Sequence, residues 1–168
     1  MTIALARVIG WSPPLARLED IPINERNMVV GLDCSGFEDR KPWVAGPPLS
    51  KRRVAIVSTA ALTVRQDAVF QRDATDYRVI PGDVAPADLI MSHISVNFDR
   101  TGFQQDVNIC FPLERLRELA AEGVIGSVAN YHFTVSGASN PLDLEASARE
   151  IAGVMQADQV DTVLLVPI

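Results

Sequence analysis

The sequence predicts an α/β domain with a mostly parallel sheet flanked by helices in three layers. Residues 54–59 (VAIVST) form a continuous apolar, β-branched run, which is typical of a strand buried on both faces of a parallel sheet. Apolar residues recur at helical spacing in 113–120 and 142–157, so two amphipathic helices follow strand candidates. Strands that alternate with helices in this way form α/β domains.

Composition and charge exclude several classes of protein. The chain has 168 residues, which suits one domain, and 48% of them are hydrophobic, which is enough for a core. A net charge of −6 argues against binding to nucleic acid, which requires a basic face. No apolar run approaches the roughly 20 residues of a membrane span, and the first residues do not form a signal peptide. Two cysteines make no disulfide framework, so we expect a cytoplasmic protein with reduced thiols and no membrane contact.

Residues 1–52 are predicted to form an extended, proline-rich arm and linker. Six of the eleven prolines lie before residue 50, and that density forbids long helices. Trp11 and Trp43 are expected to pin the arm to the domain or to a partner chain. The α/β domain then covers 53–168. It is expected to be incomplete at its C-terminus, because no loop and covering helix follow its last strand.

The elements of the domain are predicted in order along the chain. A strand at 77–80 closes at the turn 81–83 (PGD), and 88–93 is a further strand or the end of a short helix. A long ordered loop then precedes a helix with Pro112 at its N1 position and Gly123 at its end. The remaining elements are a strand at 125–131, a loop at 134–141, a helix at 142–157 and a buried strand at 161–166.

His93, Asp99 and Arg100 are the candidate catalytic residues. Ligands in parallel sheets bind beyond the carboxyl ends of the strands, and His93 lies at such a predicted end. A histidine there can act as a general acid or base, or it can orient a substrate carboxylate. The alternative is a structural histidine that forms hydrogen bonds only within its own loop. Arg100 matches a carboxylate with two parallel N–H groups, and Asp99 adds a carboxylate to the same loop.

Thr59, Asp106, Asn108 and His132 are the candidate substrate-binding residues. Thr59 borders the carboxyl end of the first strand, and Asp106 and Asn108 belong to the polar loop that precedes the helix. His132 follows the strand candidate at 125–131, at the next predicted carboxyl-terminal edge, so both histidines could face one cleft. No spacing of histidine, cysteine or aspartate resembles a metal-ligand signature, and no nucleotide-binding glycine pattern occurs, so we predict neither a metal nor a nucleotide.

Cys110 and Cys34 leave one alternative open. Cys110 lies just before a predicted helix, whose N-terminus lowers the pKa of a thiol, so a reactive role is conceivable. A packed and inert Cys110 is the other reading, since free cysteines are among the most buried residues. Cys34 lies in the arm and forms no CxxC motif.

Several segments, taken in order, resemble the B-type subunits (selenoprotein B) of glycine/sarcosine/betaine reductase and D-proline reductase. They are VAIVSTAALT, YRVIPGD, the loop SH…FDRTGFQQDVN…FP, LRELAAEGVIG and VDTVLLVPI. The resemblance runs from about residue 53 to residue 168, and RVIPGD and the loop at 106–112 are its most specific parts.

The resemblance implies an oxidoreductase that reductively cleaves a small amino-acid-like substrate. It implies a homo- or hetero-oligomer with other reductase subunits, one of which carries a pyruvoyl group. It also implies a selenocysteine just beyond Ile168, whose low pKa makes it a selenolate nucleophile at neutral pH, so this chain would hold no cofactor itself. We therefore expect a chain truncated at a UGA codon read as a stop, and inactive alone.

Two other functions remain open from the residues alone. One is a non-catalytic α/β binding or assembly subunit that lacks the redox centre and reaches a partner with its arm. The other is a thiol enzyme that uses Cys110 as its nucleophile.

Overall fold

A computed structural model describes residues 18–31, 44–94, 100–137 and 139–168 of the chain. The chain divides into two units, Met1–Val44 and Ala45–Ile168. The described part of the first unit contains a 3₁₀ turn and one helix, α1 (Ile23–Val30), so an extended arm is not confirmed. The predicted contacts of Trp11 and Trp43 lie outside the described residues, as does Cys34.

The second unit contains seven strands and three α-helices in its described residues. The strands are β1 (Arg53–Ser58), β2 (Leu62–Val64), β3 (Tyr77–Pro81), β4 (Leu89–Met91), β5 (Ser127–Val128), β6 (Tyr131–Val135) and β7 (Thr162–Val166). The helices are α2 (Thr101–Gln105), α3 (Leu113–Ala121) and α4 (Glu145–Ala157). No helix among the described residues is both long and apolar enough to cross a membrane.

The main sheet has five strands with β1 at its centre. Strand β7 runs parallel to β1 along one side, and β5 and then β6 run parallel to it along the other. Only β3 is antiparallel, and it pairs with β6. The predicted α/β class with a mostly parallel sheet is therefore confirmed.

Two hydrophobic cores lie on opposite faces of the sheet. Val54 and Ile56 face the first core, where they pack with Leu113 and other residues around α3. Ala55 faces the second core, which includes Ile151 of α4. Because successive residues of a strand point to opposite faces, the two helices cover the two faces and form three layers.

The predicted strand at 125–131 is two strands in the structure. β5 ends at Val128, and β6 continues to Val135, into the segment predicted as a loop. The prediction was wrong because the carboxylate of Asp158 binds the backbone N–H of Asn130 at 2.6 Å and takes this residue out of the ladder. The aromatic and β-branched residues that follow Asn130 then form the buried strand β6.

The segment predicted as a strand at 88–93 contains β4, which does not join the main sheet. It pairs with β2 in a separate antiparallel ladder that packs onto the first core through Leu62 and Leu89. The long loop predicted after it contains α2 and a 3₁₀ turn, Val107–Ile109, and its residues 95–99 lie outside the described part.

The ends of α3 agree closely with the sequence. Pro112 directly precedes the helix at its N-cap, one position before the predicted N1. Gly123 follows the last turn with a φ of 73°, a left-handed conformation that glycine adopts without steric cost.

β7 was predicted to be buried, and the structure corrects this. It is an edge strand whose outer side pairs with no other strand among the described residues. Leu165 is 70% exposed, and Val163 and Leu164 are also exposed. The reason is that α4 packs over β1 and β6. Within the described residues, β7 therefore has one neighbouring strand, and neither core cluster includes Val163 or Leu165.

Candidate functional site

Thr59 lies at the carboxyl end of β1 and contacts the chain that leaves β7. Its hydroxyl accepts the N–H of Ile168 at 2.8 Å and donates to the backbone oxygen of Ile168 at 3.3 Å. Its own N–H donates to the carbonyl of Val166 at 3.1 Å. On the other side, a Cβ added to Gly137 would lie 3.0 Å from the Cβ of Thr59, so the turn after β6 packs directly against it.

Ser58 connects the same edge to the loop before α3. Its buried hydroxyl donates to the carbonyl of Cys110 at 2.8 Å and accepts the N–H of Ala60 at 3.2 Å. The segment 107–110 is thereby held beside the carboxyl end of β1.

Ser92 ties the segment of His93 to this edge as well. The hydroxyl and the N–H of Ser92 both donate to the carbonyl of Ala61, at 2.8 and 3.0 Å. Ala61 in turn donates its N–H to Val135 at the end of β6. Ser92 was missed by the sequence analysis, and its only signal was its position between a strand candidate and a histidine.

His93 and Arg100 are close to each other, as the sequence predicted for one loop. The guanidinium of Arg100 donates through Nη2 to the carbonyl of His93 at 2.6 Å. Burial lowers the pKa of His93, and the positive charge of Arg100 lowers it further. His93 is therefore neutral at pH 7 and able to accept or donate a hydrogen bond. The candidate Asp99 lies outside the described residues.

Asp106 and Asn108 form a compact network at the start of α3. The amide of Asn108 donates to Asp106 and to Glu114, in both cases at 2.8 Å, and its oxygen accepts the N–H of Glu114 at 3.2 Å. The backbone and side-chain N–H groups of Asn108 lower the pKa of Asp106. Asn108 thus caps a helix whose N-cap proline has no side-chain donor or acceptor, and its predicted role in substrate binding stays a prediction.

His132 does not lie where the sequence placed it. It is the second residue of β6, far from the carboxyl end of that strand, and it is fully buried. Its Nδ1 accepts the N–H of Ile56 at 2.9 Å, and its ring packs edge-on against Phe111 at 5.9 Å. The prediction that both histidines face one cleft was wrong, because the strand break moved His132 into the first core.

The Cys110 thiol is a poor nucleophile in this structure. It is buried, and burial raises its pKa to about 11. The reading of Cys110 as a packed and inert residue therefore agrees with the structure, and the helix N-terminus beside it does not outweigh desolvation.

The amino end of the parallel strands holds a different kind of feature. A cleft of about 540 Å³ opens between the turn 81–83 and the segment 128–131. Arg117 donates to the carbonyls of Gly82 and Val84 and so fixes the turn. None of the predicted site residues that the structure describes lines this cleft.

The carboxyl edge of β1 is therefore the candidate site. Four connections meet there: the segment after β7 through Thr59, the turn after β6 through Gly137, the loop before α3 through Ser58, and the His93 segment through Ser92. Within the described ranges, no group of three histidine, cysteine, aspartate or glutamate residues is arranged to hold a metal ion. The hydroxyls of Ser58, Thr59 and Ser92 at this edge all bond to backbone groups. The imidazole of His93 and the guanidinium of Arg100 belong to the segments next to them.

These features define an α/β domain with a polar site at the carboxyl edge of its sheet. The family model of glycine/sarcosine/betaine reductase selenoprotein B matches residues 23–167. The chain belongs to this family, which confirms the resemblance stated from the sequence.

The chain is similar in sequence to subunits of several amino-acid reductases. The chain is 30% identical over 150 residues to D-proline reductase subunit gamma of Acetoanaerobium sticklandii, covering 85% of this chain and 61% of that protein. It is 35% identical over 106 residues to sarcosine reductase complex component B subunit beta of Peptoclostridium acidaminophilum, covering 60% of this chain and 24% of that protein. It is 31% identical over 137 residues to glycine reductase complex component B subunit gamma of Symbiobacterium thermophilum, covering 76% and 31%.

The chain thus spans less than two thirds of the length of each of these relatives. All three are subunits of amino-acid reductases. No solved structure matches the chain.

Proposed function

We propose that this chain is part of a cytoplasmic reductase that reductively cleaves a small amino-acid-like substrate, and that its carboxyl edge binds that substrate. The observation that carries the proposal is the His93–Arg100 pair beside the end of β1, in a chain of the selenoprotein B family. The substrate class follows from the relatives, which are subunits of D-proline, sarcosine and glycine reductases.

Arg100 is proposed to bind the substrate carboxylate. A guanidinium carries five N–H donors in a planar fork, so one residue can bind a backbone carbonyl and a carboxylate together. The bond to the carbonyl of His93 holds the guanidinium in place, which reduces the entropy lost when the substrate binds. Asp99 lies outside the described residues, so its catalytic role stays a prediction from the sequence.

His93 is proposed to transfer a proton during cleavage. Its lowered pKa keeps the imidazole neutral at pH 7, so it can accept a proton from an incoming group and return it to the product. Thr59, Asp106, Asn108 and His132 were also predicted to bind substrate. All four form structural contacts in the structure, since the hydroxyl of Thr59 bonds to Ile168 in the same way that the other three bond to their neighbours. Their role in substrate binding stays a prediction and is not part of this proposal.

The redox group is proposed to come from outside the described residues. Cys110 is unsuitable because burial holds its thiol protonated at neutral pH. The resemblance implies a selenocysteine that follows β7 and a pyruvoyl group on a partner subunit, and these would supply the nucleophile and the substrate anchor.

The first test is to read the coding DNA after the Ile168 codon and to assay the gene product with its partner subunits. An in-frame UGA followed by an open frame with a nearby cysteine, and reduction of glycine, sarcosine, betaine or D-proline by the complex, would support the proposal. In that complex Arg100→Ala should raise the substrate KM at least tenfold, with Arg115→Ala as a surface control. An unchanged KM would remove the carboxylate role of Arg100.

A non-catalytic assembly subunit is the second candidate function. The exposed, apolar strand β7 supports it, since such edges are usually covered by another chain or segment. Replacing Arg100 with alanine distinguishes the two functions. If the chain is an assembly subunit, the variant should bind its partner subunits as the wild type does, and the complex should keep its activity.

A further inference from the structure

We propose that Thr59 is a positioning residue that fixes the path of the chain where it leaves β7 across the carboxyl edge. The inference rests on the proposed function in one respect: there, this path determines where a redox group would lie relative to His93. The contacts that fix the path of residues 166–168 all lie within the described residues.

Thr59 supplies the hydrogen bonds that hold residues 166–168 at the end of β7. Pro167 separates Val166 from Ile168 and has no backbone N–H to donate. Thr59 instead bonds on both sides of the proline: its N–H reaches the carbonyl of Val166, and its hydroxyl reaches both the N–H and the oxygen of Ile168. One residue therefore supplies three hydrogen bonds to a segment that cannot continue the ladder by itself.

Thr59 is itself held from the opposite side. The turn after β6 approaches so closely that a Cβ on Gly137 would lie 3.1 Å from the carbonyl oxygen of Thr59 and 3.2 Å from its hydroxyl. The neighbouring residue Ala60 pairs with Ser136 in an isolated bridge. The rotamer of Thr59 is thus fixed by backbone on two sides, which makes its hydroxyl a fixed point and not an adaptable contact.

Side-chain packing also holds part of this end of β7. The side chains of Val163 and Leu165 are exposed, whereas those of Val166 and Ile168 are half-buried and pack against the first core. The strand is attached by its ladder to β1, and beyond Val166 by Thr59. Removal of the hydroxyl should therefore loosen the backbone at Ile168, because side-chain packing does not bond its N–H, while the rest of the sheet stays folded.

The experiment compares three variants of the whole chain by amide hydrogen exchange, measured by NMR at Ile168 and at the strand residues of β1. Thr59→Val keeps the shape and removes the hydroxyl, Thr59→Ser keeps the hydroxyl, and Thr63→Val is the matched control. The Thr63 hydroxyl is buried and has no hydrogen-bond partner within the described part of the chain, so its loss removes no contact. We expect exchange at Ile168 to become faster on the order of tenfold in Thr59→Val only, which corresponds to the net value of about one hydrogen bond.

Each outcome decides the point. Unchanged exchange at Ile168 in Thr59→Val overturns the proposal. Faster exchange throughout β1 also overturns it, since Thr59 would then act through general packing. In a working reductase complex the same variant should lower kcat while leaving the substrate KM unchanged, and Thr59→Ser should restore kcat. If the complex reduces none of the four substrates, the proposed function fails, yet the exchange result still tests the path.

Discussion

Nδ1 of His132 accepts the N–H of Ile56 at 2.9 Å, in the gap where β5 has ended and β6 has not yet reached β1. The imidazole therefore takes the place of a backbone carbonyl and completes the central strand. Because Nδ1 accepts, the proton of the neutral ring lies on Nε2, which has no partner within the described residues. His132 is thus a structural part of the sheet.

Replacing His132 with alanine should destabilise the fold strongly. The substitution leaves the buried N–H of Ile56 without an acceptor and opens a cavity against Phe111. Together these effects should lower the free energy of unfolding by about 2–4 kcal/mol, measured by urea denaturation. Tyr131→Ala, at the exposed neighbouring position, is the control and should cost much less. Equal losses for the two variants would contradict the structural role of His132.

Acid should weaken the fold through His132. Burial lowers the pKa of His132 to about 4, with Arg117 adding to the shift and Asp158 opposing it. A histidine whose folded pKa lies below its unfolded value of about 6.5 stabilises the fold fully above pH 6.5, and this contribution disappears as the pH falls toward 4. The loss should be on the order of 3 kcal/mol over that range.

The measurement is urea denaturation at pH 7.5, 6 and 5. His132→Gln, whose amide can accept the same N–H but does not titrate, should show a flatter dependence on pH. Because the pKa of His93 is also lowered, His93→Gln must be measured beside it. Parallel profiles for the wild-type and His132→Gln chains would remove His132 as the acid-sensitive group.

Asp158 should be a strong contributor to stability at the amino edge. Its carboxylate pairs with the guanidinium of Arg53 at 2.7 Å and also accepts the backbone and side-chain N–H groups of Asn130. Burial alone would raise the pKa of Asp158, but the bonds from Arg53 and Asn130 outweigh it and lower the pKa. Asp158→Ala leaves the partly buried Arg53 unpaired and should cost about 3 kcal/mol in urea denaturation.

The matched control for Asp158 is a fully surface ion pair. Glu145 pairs with Arg149 at 2.6 Å with both side chains exposed, and Glu145→Ala should cost less than about 1 kcal/mol. If the two alanine variants unfold at the same urea concentration, the buried environment of Asp158 carries no special weight.

Cys110 should resist alkylation. With its pKa raised to about 11 and its side chain buried, almost no thiolate is present or accessible at pH 7.5. In a Cys34→Ser chain, iodoacetamide should modify Cys110 only after urea unfolds the protein, as followed by intact mass. Rapid modification of the folded chain would support the hypothesis that Cys110 is the nucleophile of a thiol enzyme.

Local sequence patterns predicted the elements that depend on short-range chemistry. The β-branched run of β1, the PGD turn after β3 and the glycine after α3 all lie where the sequence placed them. Each is determined by residues within a few positions, so the chain itself holds the information.

The errors arose where distant residues decide the structure. The break before β6 depends on Asp158, which is 28 positions from Asn130, and the burial of His132 follows from that break. The exposure of β7 depends on which strands lie beside it. A continuous apolar sequence does not show whether its strand lies at the edge or at the centre of a sheet. At the candidate site, the His93–Arg100 contact was foreseeable from one loop, whereas the Ser92–Ala61 link was not.

The outer side of β7, which pairs with no strand in the described part of the chain, has a practical consequence for work with the purified chain. In a parallel ladder alternate residues bond to the neighbour, so the N–H and carbonyl groups of Val163 and Leu165 point away from β1. No proline and no charged residue interrupts Thr162–Val166, although natural edge strands use such residues to prevent pairing with further chains. Solutions of the isolated chain should therefore become turbid with rising concentration and bind thioflavin, and Leu165→Lys should keep them clear.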